Sequence, residues 1–472
     1  MTATWVPDKL IDLSDCPSSI VAKQYLVGNT AGTSLEFRSA GRVDVRDYTL
    51  TNDGKCIRSG SITSGDNTLT DTYSLGLFAS GDVGKTIIVK GAGAAGANLT
   101  TTIASFNNSN SVELTAAAST TVTYAAVGWG TTDAAKVQQA LADAGSYGGI
   151  YVAPELNLFL AGTDLVTTAE GQSFYSEGNG AALICGGFEA LHKKARPMFL
   201  RMLGPGTYGL NITDPSLQQF DLNPNDTAVW WSEFAAAHIR VWDKTYGIHN
   251  AVAGQSDSFF DVRTWGCGTG AYINHNNHYL GYTGAGGTGS ASGDSGDWGF
   301  NMCRFSKGAI GMHIVKIGGL TITDSKIHAC SDIGLLIETT GVEPPTQGLY
   351  SSNLRIENCT NYTLKVTSTS GTAALWPRWL KFVGGTMHGN ILLDKGKQIG
   401  FVGVAMTTGT ITINANAASV SFVDCDGNGD LKGRIAGAGT DYVIIGQSPT
   451  TGPYIQSGAR VTLIDSTGTK YL

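Results

Sequence analysis

Single apolar residues flanked by polar ones recur down the second half of the chain, each followed after a polar turn by a longer alternating run. KIHACSDIGLLI, at 326–337, and RIENCTNYTLKV, at 355–366, align so that Ile327 falls on Ile356, Cys330 on Cys359, Leu335 on Leu364 and Ile337 on Val366. The same polar–apolar–polar triplet is centred on Val241, Val262, Phe305, Ile327, Ile356, Met387 and Met406, at separations of 21, 43, 22, 29, 31 and 19 residues. The second strands that follow read YGIHNA, GAYINH, AIGMHI, IGLLIE, YTLKVT, NILLD and TITINA. A repeating unit of about 20 residues with two short strands predicts a parallel β-helix, whose coils stack about 4.8 Å apart. Phe305, Ile327, Ile356 and Met387 are then one interior ladder, and Cys330 with Cys359 a stacked pair of small packing residues.

The excess over 20 marks where loops leave the coil: residues 274–299, 341–348 and 368–379. Upstream, GTTDAAKVQQALADAGSYGGIYVAP predicts one helix. Asp133 or Thr132 caps it, Val137, Ala140, Leu141 and Ala144 form its apolar face, and Gly145 closes it. Such a helix covers the unpaired backbone of the first coil. The chain therefore divides into a segment at 1–50, a small β-rich domain at 51–130, the β-helix with its capping helix at 131–440 and a C-terminal β cap at 441–472.

Composition supports an all-β chain: 63 of the 472 residues are glycine and only 15% are charged. A net charge of −7 argues against whole-molecule attraction to nucleic acid or anionic lipid, while leaving local basic stripes open. No run of about 18 apolar residues occurs, so no membrane insertion is expected, and the first residues lack a basic-then-apolar leader pattern. The eight cysteines never form CxxC, and no metal site or cofactor is expected.

Residues beside an inward strand position face outward. Arg304, Lys326 and Arg355 precede three successive apolar centres and form a cationic column; His328, Glu357 and His388 follow them and set a carboxylate between two imidazoles. Glu357 with His328 is a candidate acid/base for cleaving an acidic polysaccharide, and the competing reading is a set of ion pairs between coils. In this alignment Asp261 stands in the first column and Arg263 in the second. Trp242, and in the 274–299 loop Tyr279, Tyr282, Asp297 and Trp298, are candidate glycan contacts through ring stacking and hydroxyl bonding. Packing at a subunit interface or against a loop is the alternative for Trp242, and an inert loop for the others.

GTTDAAKVQQALADA…GGIYVAP resembles the opening segment of the pectate-lyase-like, right-handed parallel β-helix of phage tailspikes and tail fibres. FLRMLGPGTYGLNI, at 199–212, is similar to the early coil that follows it, and KQYLVGNTAGTSLEFRSAGRVDVRDY resembles linker segments ahead of such spikes. VAPELNLFLAG departs from the family pattern at the first turn. The resemblance implies a homotrimeric virion tail protein, made in the host cytoplasm, attached to other tail or baseplate proteins through its N-terminus, and binding bacterial surface polysaccharide for host adsorption. Whether such a chain also cuts that polysaccharide, as a hydrolase or a lyase, stays open, and a non-viral polysaccharide-degrading enzyme is a further alternative.

Overall fold

The computed structural model describes residues 42–192, 194–212, 234–250, 257–274, 298–340, 347–423 and 425–426, with strand segments at 24–28, 35–39, 435–436, 442–445, 463–464 and 470–471. The chain from Gly149 onward winds as a parallel β-helix, right-handed as parallel crossovers are. Most coils have three strands, one on each of three faces, sheets I to III; in the last coils Ile391–Val402 and Ile411–Val423 each run continuously across two of the faces, sheets II and III. One full turn runs Gly318–Thr323 on sheet III, Lys326–His328 on sheet I and Ile333–Thr339 on sheet II. The sequence pattern predicts two strands per coil. The third alternates as the others do, around Leu320 and Ile322 in Gly318–Thr323 and around Leu380 and Phe382 in Arg378–Val383. Strands such as Trp298–Asn301 and Gln347–Ser352, however, follow directly on the excursions and are taken with them as loop.

Sheet I has ten strands, most of them three residues long, and left-handed corners confine them. Before the strand, Phe199, His238, Asp261, Met302, Asp324, Asn353, Gly384 and Gly403 all have φ between 47° and 61°. After it, Asp243, Gly266, Lys307, Ala329 and Asn358 have φ between 56° and 66°. All of these corners but Asn358 also donate the N–H to the next coil, as Met302 does to Thr323 O at 3.0 Å and Ala329 to Glu357 O at 3.0 Å. Two bends around three residues leave one side chain pointing in and two pointing out. That geometry is the physical origin of the polar–apolar–polar triplet.

The interior ladder runs Leu158, Leu183, Met202, Val241, Thr264, Phe305, Ile327, Ile356 and Met387. Thr264, not Val262, occupies the fifth rung, which corrects the sequence alignment by two residues. Val262 is also buried, but just before the strand, where Ile239, Cys303 and Leu354 stand in other coils. An apolar residue at that position beside a threonine at the centre imitated the triplet one step early. Aromatic stacks reinforce the interior, with Phe382, Phe401 and Phe422 in successive coils at 5.1 Å between centroids.

The helix Ala134–Ala144 buries Val137, Ala140, Leu141 and Ala144 over the first coil, and Gly145 closes it with φ 67°. Asp133 stands at its N-terminus, yet its buried carboxylate accepts from Thr51 N at 2.8 Å and Asn52 N at 2.9 Å instead of capping the helix. Arg42–Asp44 pairs in parallel with Gly149–Tyr151, so the chain enters the solenoid before the helix. Between them, residues 55–130 close a six-stranded barrel around Ile57, Leu69, Phe78, Ile87, Val112 and Trp129.

The barrel lies against the start of sheet I. Its Cys56 and Ile88 pack with Phe159, Ile184, Cys185 and Leu203, and Arg58 grips Asp243 with Nε–Oδ2 and Nη2–Oδ1 both at 2.7 Å.

Phe401→Ala removes the middle ring of the C-terminal stack and is expected to cost about 3–5 kcal/mol. The check is a lower denaturant midpoint for the C-terminal coils, with the barrel's own transition unmoved.

Candidate functional site

Sheet I carries its chemistry in two outward columns on either side of the interior ladder. Strand register puts Arg201, Arg240, Arg263, Arg304, Lys326 and Arg355 in one unbroken file over six coils. Sequence reasoning found the last three. The two-residue misalignment at Val262 hid Arg263 by putting Asp261 in its place, and Arg201 and Arg240 then seemed detached. At about 4.8 Å per coil the file is about 24 Å long. Adjacent like charges at that spacing repel by ~1 kcal/mol in bulk water and by several times that near a protein surface, so the file needs counter-charges.

Two carboxylates supply them. Asp261, at the corner, accepts from Arg240 Nη2 at 2.8 Å and Arg263 Nε at 2.8 Å, and lies 3.1 Å from His238 Nδ1. Burial alone would raise its pKa, but the bonds from Arg240, His238 and Arg263 outweigh this and hold it low. Glu357 takes Lys326 Nζ at 2.7 Å and Arg355 Nη2 at 3.1 Å. Arg201 donates Nε to the Gly180 carbonyl at 3.0 Å. Arg304 stands between the two carboxylate nodes and, among the described residues, meets Ser306 Oγ at 3.2 Å and no carboxylate. It is the centre of uncompensated positive charge on this face.

The second column begins under the barrel and ends in the open. Phe159, Ile184 and Leu203 are apolar because the barrel covers them. Trp242 and Trp265 follow at the barrel's edge, with the Arg58 guanidinium 5.7 and 5.9 Å from their ring centroids and Lys307 Nζ 5.5 Å from that of Trp265. The structure thus seats Trp242 against the docked barrel. Beyond them come Ser306, His328 and Glu357 in register, with His388 in the next coil.

Glu357 and His328 are therefore neighbours, as the sequence pattern predicts, but Glu357 is held in a state unfavourable for a general acid. The hydrogen bond from Lys326, followed by the charges of Lys326 and Arg355, holds the Glu357 carboxyl below its usual range, so it gives up a proton too readily for a general acid. Desolvation, with Lys326 and Arg304 nearby, lowers the His328 pKa, and its Nε2 faces Asn358 Nδ2 at 3.2 Å. The geometry matches the ion-pair reading between coils. Tyr279, Tyr282 and Asp297 lie outside the described residues, as does the side chain of Trp298. Among the described residues no group of three or more His, Cys, Asp or Glu has a metal-holding arrangement.

No family model matches the sequence, and no curated protein matches it. Among solved structures the chain is similar to the catalytic unit of a thermostable GH87 α-1,3-glucanase from Streptomyces thermodiastaticus strain HF3-3. That likeness covers 88% of this chain and 86% of the other, at 9% identity and a TM-score of 0.32.

Because the Glu357 carboxyl sits below its ordinary 4.5, its ion pairs stabilise the fold above that pH and are lost as pH falls through the lowered value. Glu357→Gln should therefore flatten the loss of stability between about pH 6 and about pH 3. Thermal midpoints across that range for both proteins check it.

Proposed function

We propose that the chain recognises an acidic polysaccharide along sheet I, as the adhesive shaft of a phage tailspike or tail fibre meeting a bacterial surface. The observation that carries this reading is the file of six cations with two carboxylates among them, on a chain whose net charge is −7. An excess of positive charge kept in one line, against the sign of the whole molecule, fits a ligand that is anionic, extended and repeating. Residues 1–50 would serve virion attachment, and three chains side by side would present three such files. Hydrolysis by a carboxylate pair gains no support on this face, since Asp261 and Glu357 are both held by cations.

Arg304→Ala should weaken binding to acidic capsular polysaccharide by about tenfold, the loss of one charge-assisted contact. Binding should also fall as salt rises, while neutral dextran is not bound. Titration calorimetry with the two polymers checks this. Equal binding of both polymers, unmoved by Arg304→Ala, would refute the reading. Light scattering tests the trimer separately, and a monomer would remove that part.

A further inference from the structure

The outward face of sheet II carries a second constellation, which the cation file does not use. Register places Glu189, Asn211, His249, Tyr272 and His313 in one column over five coils, with Glu338 beside the next. The His249 and Tyr272 rings stack at 5.4 Å and 6°, and His313 meets Tyr272 edge-on at 5.2 Å. Tyr208 and Tyr246 wall the lower side, 4.8 and 5.2 Å from His249.

Hydrogen-bond direction fixes the state of each group. Asn211 donates Nδ2 to Glu189 Oε1 at 3.0 Å, so its Oδ1, 2.8 Å from His249 Nδ1, must accept. His249 Nδ1 therefore carries the proton and Nε2 keeps a free lone pair. Burial lowers the pKa of this imidazole, in keeping with the neutral form. Asn274 Nδ2 donates to the Tyr272 hydroxyl oxygen at 3.0 Å, which leaves the phenol proton free to be given away. A base and an acid thus stand on adjacent coils on one side of the sheet. His313 Nε2 is 3.4 Å from Glu338 Oε2, and the His313 bond holds that carboxyl low. Asn274 Oδ1 is buried and has no donor among the described residues.

We infer that this column is a polysaccharide lyase site, with His249 as the base and Tyr272 as the acid in β-elimination from a hexuronate polymer. His249 Nε2 takes the proton on the carbon next to the carboxylate, and the C4–O4 bond breaks as a C4=C5 double bond forms. Tyr272 passes its proton to the departing O4. Solvent then carries the proton from His249 back to Tyr272, and no water, oxidant or cofactor is consumed. His313 and its partner Glu338 close the column one coil beyond Tyr272. Hexuronates are required because only their carboxylate makes the C5 proton removable. This rests on the acidic-polysaccharide reading above for its substrate, but on different residues for its chemistry.

The test incubates the full chain, Tyr272→Phe, His249→Gln and Arg304→Ala with polygalacturonate, alginate and hyaluronan. It follows the ultraviolet absorbance of unsaturated uronates, the reducing ends and binding. The expected result is unsaturated ends from the full chain and a loss of at least about a hundredfold in Tyr272→Phe and His249→Gln, with binding retained. Tyr272→Phe removes one hydroxyl from a packed ring, so its circular dichroism and melting should match the parent. Binding without unsaturated ends, or reducing ends alone, overturns the lyase site and leaves the adhesive reading standing. Unsaturated ends that persist in both variants also overturn it. Elimination that needs Tyr272 but ignores Arg304 and salt would sustain the lyase site and sink the cation file, and silence in every readout sinks both.

Discussion

Every coil is held to the next by hydrogen bonds from residues in the left-handed region, and the sheet I face depends on them. A left-handed residue other than glycine costs roughly 1–2 kcal/mol. Yet His238, Asp261, Met302, Asp324 and Asn353 adopt it in succession at one corner, and Asp243, Lys307, Ala329 and Asn358 at the other. The cost is offset where the bent N–H meets a carbonyl of the following coil and satisfies a group that would otherwise be stranded. With both corners fixed, a three-residue strand has one interior position and two exterior ones. Identity at the exterior positions is then free to serve charge or packing, one residue per coil.

The two exterior columns used that freedom differently along the same sheet. Where the barrel lies, the second column is Phe159, Ile184 and Leu203; where it ends, the column passes through Trp242 and Trp265 to His328 and Glu357. The first column stays cationic over the six coils from Arg201 to Arg355. Asp261 draws Arg240 and Arg263 together and Glu357 draws Lys326 and Arg355, which leaves Arg304 alone at the middle. Sheet II follows the same one-per-coil rule but with rings in place of charges. Its His249 and Tyr272 rings stack across adjacent coils, His249 Nδ1 is held by Asn211 of the coil before, and the Tyr272 hydroxyl by Asn274 of its own strand.

Much of this was legible in the chain. The pairing of Ile327 with Ile356 and of Lys326 with Arg355 follows from the aligned segments and stands in the register. The helix face and its covering of the first coil were equally readable. Three features were not. The third strand follows directly on the loop excursions, as at Trp298–Asn301 and Gln347–Ser352, and reads as part of them. Thr264 at an interior rung beside buried Val262 shifted the apparent triplet and broke the cation file in two. The proton placement on His249 depends on which atom of Asn211 faces which neighbour, a property of three coils at once. The strings YGIHNA, GAYINH and AIGMHI do show His249, Tyr272 and His313 at equivalent outward places, so the column itself left a signal.

The barrel's two ends leave it side by side. Lys55 pairs with Trp129, Asp53 takes the Thr131 N–H at 2.7 Å, and Gly54 bonds Asn157 O at 3.0 Å. A unit closed in this way interrupts the chain without interrupting the solenoid, because Arg42–Asp44 and Gly149–Tyr151 still meet beneath it. It is a passenger in architectural terms: a whole closed unit rides on one joint, and the winding, with the files of side chains along it, resumes in step on the far side.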